Sequence, residues 1–273
     1  MLLLTTIGYR VVADDGQDPM PRTTRTSASQ PDDRKYTVPK ESPGDEDKVR
    51  IVEQGFSPIK DSGNENLVSY GAILENTDRK RAAVVTLSLR IADKRGKSLV
   101  TRLSDYALTR VVTLIMPGQR TGIADCVYIT SSDVAALRFT VTKVGWLTVD
   151  PKHRYSASLK ASVLDTRVRK GHGDTLYWGK DGLRAVRTGD RLVVRFEVES
   201  DYTGLLGDPE VAVVFRNSKG AIVGGSREIF DVYSEFPPGT SEHEMLVKYG
   251  PPEGIDPSRT GVYPYPVERP YGL

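Results

Sequence analysis

Across residues 84–91 apolar and polar positions alternate, with Val85, Leu87, Leu89 and Ile91 on one side of an extended chain and Thr86, Ser88 and Arg90 on the other. The period recurs in 191–199, where Leu192, Val194, Phe196 and Val198 alternate with Arg191, Arg195, Glu197 and Glu199. Successive strand side chains point to opposite faces, so each segment carries a core face and a solvent face. Read from residue 49 onward, the pattern predicts strands near 49–56, 67–75, 83–91, 99–108, 121–129 and 137–147. A second group falls near 156–168, 183–186, 191–199, 210–216, 221–230 and 243–249. Gly, Asn, Asp and Pro clusters separate them, and helical periods are scarce.

Short strands at this spacing predict an all-β chain of two tandem antiparallel immunoglobulin-like β-sandwich domains after a disordered N-terminal linker. The first domain spans residues 48–150 and the second 151–266, with residues 267–273 as a tail. The boundary at 151–155 is too brief for free tumbling and predicts a semi-rigid rod. Residues 250–273 carry six prolines and read as an extended segment lying over the second domain or trailing from it.

Turn chemistry repeats in order. Glu75-Asn76-Thr77 closes one strand, Asp93-Lys94-Arg95-Gly96 follows the next, and Met116-Pro117-Gly118-Gln119 precedes a third. Glu199-Ser200-Asp201, Asn217-Ser218-Lys219-Gly220 and Pro237-Pro238-Gly239-Thr240 follow the same order, with seventeen residues from Asn76 to Asp93 and from Ser200 to Asn217. These turns imply two sandwiches of similar plan. The first set, with Tyr70-Gly71-Ala72-Ile73-Leu74 before it, resembles the FxLYD-type modules of exported or membrane-attached bacterial proteins, although Leu87-Ser88-Leu89-Arg90-Ile91 stands in the strand whose aromatics name that family. Residues 186–194 look like the entry strand of other exported bacterial sandwiches, including telokin-like lipoprotein modules. The resemblance implies an extracytoplasmic location and no catalytic residue.

The N-terminus adds a second clue to location. Residues 1–12 are apolar as far as Tyr9 and Arg10, too few to span a bilayer, which needs about 20, and read as the outer end of a longer membrane anchor. Residues 13–47 hold five prolines and almost no aliphatic side chains, the composition of a disordered stalk.

Charge and composition exclude more than they assign. Thirty-eight basic residues against 36 acidic ones leave a net charge of +2, without the broad basic footprint of a nucleic-acid binder. The single cysteine, Cys126, rules out an intrachain disulfide and reads as a small core residue. His153, His172 and His243 are isolated, and the carboxylates of Glu242 and Glu244 face away from His243 along a strand, so no metal site is predicted. There is no Gly-x-Ser-x-Gly elbow and no phosphate loop, and the paired carboxylates fall in the linker. Neither catalytic nor cofactor-binding residues are predicted.

Two contact loops remain as candidates. One contains His172, Tyr177 and Trp178 in a glycine-rich stretch, and the other is the basic turn Arg79-Lys80-Arg81. The chain is therefore expected to be a non-catalytic protein of the cell membrane, tethered by its N-terminus, with its folded domains extracytoplasmic. It would contact an unknown protein or cell-envelope component. An alternative is an exported module binding a small molecule or carbohydrate at Tyr177 and Trp178. A hydrolase, the second alternative, would need the three histidines to converge.

Overall fold

The structure, a computed structural model, describes residues 40–41, 45–60, 65–101, 108–149, 158–169, 174–179, 182–187, 191–202, 206–207, 209–229, 235–247, 249 and 251–266. The fold is all-β, and every strand pair is antiparallel. The strands are β1 (Lys40–Glu41), β2 (Val49–Lys60), β3 (Asn66–Asn76), β4 (Arg81–Ala92), β5 (Thr109–Ile115), β6 (Arg120–Tyr128), β7 (Ala136–Thr148), β8 (Leu159–Arg169) and β9 (Asp174–Gly179). They continue as β10 (Gly182–Arg187), β11 (Arg191–Ser200), β12 (Leu206–Gly207), β13 (Glu210–Arg216), β14 (Ile222–Ile229), β15 (Glu235–Phe236), β16 (Gly239–Leu246) and β17 (Gly261–Tyr265).

Four sheets form the body: sheet I in the order β1-β7-β4-β5, sheet II as β2-β3-β6, sheet III as β14-β13-β17 and sheet IV as β16-β11-β8. Sheets I and II enclose a core in which Tyr70, Leu74, Leu87, Ile91 and Ile115 are fully buried. Sheets III and IV enclose a second core around Leu192, Phe196, Val213 and Phe215. The alternation read from the sequence builds both, since Leu87, Leu89 and Ile91 on β4 and Leu192, Val194, Phe196 and Val198 on β11 all point inward.

The two sandwiches share one connectivity. In the first, the opening, second and fifth strands form one sheet (β2-β3-β6), and the fourth, third and sixth form the other (β5-β4-β7). In the second, β8-β11-β16 and β14-β13-β17 repeat that order, with the β9–β10 hairpin inserted after the opening strand. The repeated turns match in hydrogen bonding. The Oδ1 atom of Asp93 accepts from the backbone N–H groups of Arg95 and Lys97, and that of Asn217 accepts from those of Lys219 and Ala221. Gly96 and Gly220 close these turns at φ values of 79° and 84°, where a Cβ would be strained.

The linker predicts an end-to-end rod, whereas the sandwiches stack face to face, sheet II on sheet III. β3 is therefore buried on both sides, from Leu67 to Leu74 without a break, and so is β13 from Val211 to Phe215. Small residues permit the approach. A Cβ on Gly55 of β2 would sit 1.8 Å from the carbonyl oxygen of Ile222 on β14, and one on Gly122 of β6 would sit 2.2 Å from the Tyr263 ring on β17. The outer face of sheet IV carries the ion pairs Arg195–Glu242 at 3.2 Å, Arg167–Glu244 at 3.3 Å and Lys160–Glu199 at 3.7 Å beside the apolar pair Val193 and Leu246.

Other expectations shift. Of the strand placed near 99–108, the described residues show an isolated bridge from Val100 to Ile129, residues 102–107 lie outside the described residues, and the fourth strand runs as β5. Part of the supposed proline-rich tail is β17, an edge strand whose Pro264 lies opposite Val211; an edge position tolerates a missing donor. The end of the expected disordered linker is also ordered. Lys40 and Glu41 pair with Trp146 and Gly145, and residues Glu46–Lys48 form a 3-10 turn. Residues 1–39, the 151–155 boundary and the 267–273 tail lie outside the described residues.

Candidate contact surface

The basic turn at 79–81 divides into two parts. Arg79 and Lys80 are exposed. Arg81 is held structurally instead: its guanidinium contacts the Asp78 carboxylate at 2.8 Å and that of Asp45 at 2.9 Å, and lies 4.3 Å from the Trp146 ring centre. Burial alone would raise the Asp78 pKa, but backbone N–H donation from Lys80 and Arg81, with the Arg81 side chain, brings it down to about 2. Arg81 is thus removed from the free contact residues. Beneath the turn Asn76 is fully buried, and its Nδ2 donates to the carbonyls of Arg81 at 2.8 Å, Ile115 at 3.0 Å and Met116 at 3.3 Å. Its Oδ1 accepts from the Asp78 N–H at 3.0 Å. The Asn-Thr motif at the strand end thereby ties three chain segments together.

Tyr177 and Trp178 belong to β9 and not to a loop. They stand opposite Arg184 and Leu183 of β10, in a ladder that has two strands among the described residues. His172 and His153 lie outside the described residues. His243, expected at a solvated strand end, is half-buried on β16, its ring 4.7 Å from that of Phe236 and 5.7 Å from that of Phe196. Ser241 Oγ lies 2.7 Å from its Nε2. Desolvation pushes its pKa down to about 4. Among the described residues, no group of three His, Cys, Asp or Glu is arranged to hold a metal ion.

Residues that the sequence did not single out meet at the joint between sheets II and III. Arg110 Nη2 of β5 lies 2.7 Å from the Asp125 carboxylate of β6, which Arg227 Nε of β14 approaches at 3.3 Å. Arg227 Nη1 reaches Glu210 of β13 at 2.8 Å. These four side chains retain only 13 to 20 % exposure, so the charges neutralise one another largely out of water. Close by, the Ser69 hydroxyl donates to the Gly225 carbonyl at 2.8 Å and accepts from the Gly225 N–H at 2.9 Å. Cys126, expected in a core, is half-buried at this joint with its sulfur 3.6 Å from the same carbonyl. Glycines inside the strands, at 55, 71, 122 and 225, were the available sequence signal, since a strand glycine often marks close backbone approach.

Along one side of the joint runs an open cleft of about 440 Å³, lined by Met116, Arg120, Leu159, Lys160, Tyr263 and Pro264 among others. It lies between β6, β8 and β17, at the seam between the two sandwiches. No protein-family model matches the chain, and no curated protein matches it.

Proposed function

We propose that the chain is a non-catalytic, membrane-tethered extracytoplasmic protein that presents two β-sandwiches to another protein or an envelope component. The joint between sheets II and III carries this reading. Its arginines and carboxylates pair with one another, Ser69 meets both backbone groups of Gly225, and the polar chemistry of the interface is spent on fixing one sandwich against the other. A body fixed in this way suits display of a surface at constant geometry. The apolar run at residues 1–12 supports the tether, and the proline-rich segment after it supports a spacer between membrane and body.

The test is fractionation of cells expressing the natural gene, with protease added to the intact cells. The reading expects the chain in the membrane fraction and cleaved from outside; a cytosolic, protected chain overturns it. A second reading, an exported small-molecule module, is favoured by the seam cleft, whose volume and partly apolar lining suit a compact ligand. A ligand whose stabilisation disappears in Lys160→Trp, a substitution at an exposed residue of the cleft wall, would support it.

A further inference from the structure

The outer face of sheet I changes character along its length. Near Ala82, Val84, Leu114 and Leu147 it is apolar and buried. From Thr86 onward it turns polar, because the β4 residues that alternate with the core positions are now Ser88 and Arg90. Cross-strand register builds two rows there. Thr109, Ser88 and Thr140 form one across β5, β4 and β7, and Arg90 stands directly opposite Arg138 in the next. Such rows lie about 7 Å apart along the strands. Past the end of β4 the turn adds Lys94, Arg95 and Lys97, all three exposed.

The charge of this face is not offset locally, although the whole chain is close to neutral. Arg90 and Arg138 are exposed, and like charges directly opposite one another disfavour a strand pair. Residues 86–98 and 131–143 hold six cations against the two carboxylates of Asp93 and Asp133. Asp93 is committed to the turn, where its Oδ1 accepts from the N–H groups of Arg95 and Lys97. Asp133 accepts from the Ser131 hydroxyl at 3.2 Å. Arg90, Lys94, Arg95, Lys97 and Arg138 form no ion pair with any carboxylate. On the outer face of sheet IV, by contrast, Arg195 meets Glu242 and Arg167 meets Glu244. Arg90 is also held in place, since its Nη2 donates to the Gly96 carbonyl at 3.1 Å and leaves its other N–H groups for an acceptor.

We propose that this face binds a linear polymer of polyol units joined by phosphodiesters. Arg90 and Arg138 meet one phosphate, the cations of the turn meet the next, and the hydroxyls of Thr109, Ser88 and Thr140 meet those of the repeat unit. A flat sheet face with charge strung along it suits an extended chain and not a compact ligand. The two rows present no aromatic ring on which a nucleobase could stack. Beside them Val111, opposite Thr86, is the one large apolar side chain exposed among the described residues of sheet I, too little to enter a bilayer. The inference rests on the contact reading for where such a polymer is met, and it names the chemistry of the envelope component.

The full-length chain is titrated calorimetrically with poly(glycerol phosphate), with a single-stranded oligonucleotide of equal charge and with phosphatidylglycerol vesicles. The polymer is expected to bind, and with five cations engaged a rise from about 50 to about 200 mM salt weakens it on the order of 100-fold. Arg90→Gln with Arg138→Gln lowers affinity about 25-fold near 0.1 M salt and flattens the salt dependence by about two-fifths. Arg138→Gln alone, which keeps the Arg90–Gly96 bond, loses about fivefold. Thermal midpoints at or above that of wild type verify folding, as relief of the opposed arginines requires. Arg167→Gln with Arg195→Gln removes the same two charges from sheet IV and leaves binding unchanged. The inference is overturned if the polymer does not bind, if the sheet IV variant loses as much, or if the oligonucleotide or the vesicles bind as tightly through the same two arginines. A chain that fractionates with the membrane and ignores the polymer refutes the polymer alone; a cytosolic chain that binds it refutes the location alone.

Discussion

Replacing Gly55 by alanine adds one methyl group at the tightest of the described glycine approaches. Its Cβ would stand 1.8 Å from the Ile222 carbonyl oxygen, against an ordinary contact of about 3.5 Å, and the obstacle is backbone and cannot rotate away. Sheets II and III must therefore part locally by more than 1 Å. A gap of that size forfeits a quarter to a half of each dispersion contact, and Ile73, Val214, Ile222 and Tyr265 form the apolar part of the joint. Losing a quarter of their burial costs about 2 kcal/mol. Stretching both Ser69–Gly225 bonds adds about 2 kcal/mol. A total near 4 kcal/mol lowers the thermal midpoint by about 8 to 16 °C for a chain of this size. Calorimetry of wild type should show one transition, because the sandwiches share the joint, and Gly55→Ala should lower it or split it in two. Gly118→Ala is the control, since its added Cβ meets nothing within 4 Å. It pays only for a left-handed φ of 69°, about 1 kcal/mol. If Gly55→Ala melts within 2 °C of wild type in a single transition, the stacked joint is refuted.

Substitutions at two further residues probe other parts of the structure. Asn76→Ala should cost about 3 kcal/mol in urea unfolding, because it strands buried carbonyls of Arg81 and Ile115; Asn76→Asp should cost more, since a carboxylate would face those oxygens. A loss below 1 kcal/mol for both would refute the tie. His243 has a folded pKa near 4 against 6.5 for the free group, so above pH 6.5 neither state is protonated and its contribution is complete. As pH falls from 6.5 to 4 the unfolded chain takes up the proton first, and stability drops by about 1 to 2 kcal/mol once partial exposure is discounted. His243→Phe should flatten the thermal midpoint against pH in that window relative to wild type, and an unchanged slope would refute the assignment.

The core faces were legible because one-sided strands write their burial into a period of two, as β4 and β11 do. β13 was legible only as a strand: Val211-Ala212-Val213-Val214-Phe215 has no polar face, a sign of burial on both sides that the two-domain reading left unused. β5 and β17 went unread for opposite reasons. Leu99 and Val100 offered a competing apolar start upstream of β5, and Pro264 with Pro266 disguised β17 as a tail. The chain from Arg110 through Asp125 and Arg227 to Glu210 could not be read at all. Each member resembles an ordinary solvent-facing strand residue until the stacking supplies its partner. Of the contact candidates, Arg79 and Lys80 stayed at the surface, whereas Arg81 was taken up by Asp45, Asp78 and Trp146.

The stacked joint uses two different faces, sheet II of one sandwich against sheet III of the next, so the contact has a direction. A directional contact between like units has no built-in end, and repeated from chain to chain it would grow an open filament. The second sandwich still owns the counterpart of the sheet II face, on the outside of sheet IV. Counted from the shared turns, Gly71 corresponds there to Arg195 and Ile73 to Glu197, and Arg195 is paired with Glu242 across the sheet. An arginine where the close approach needs a bare backbone is a stop signal for assembly. The second sandwich shares the plan of the first, and its counterpart of the stacking face carries charged side chains where sheet II has glycine and isoleucine.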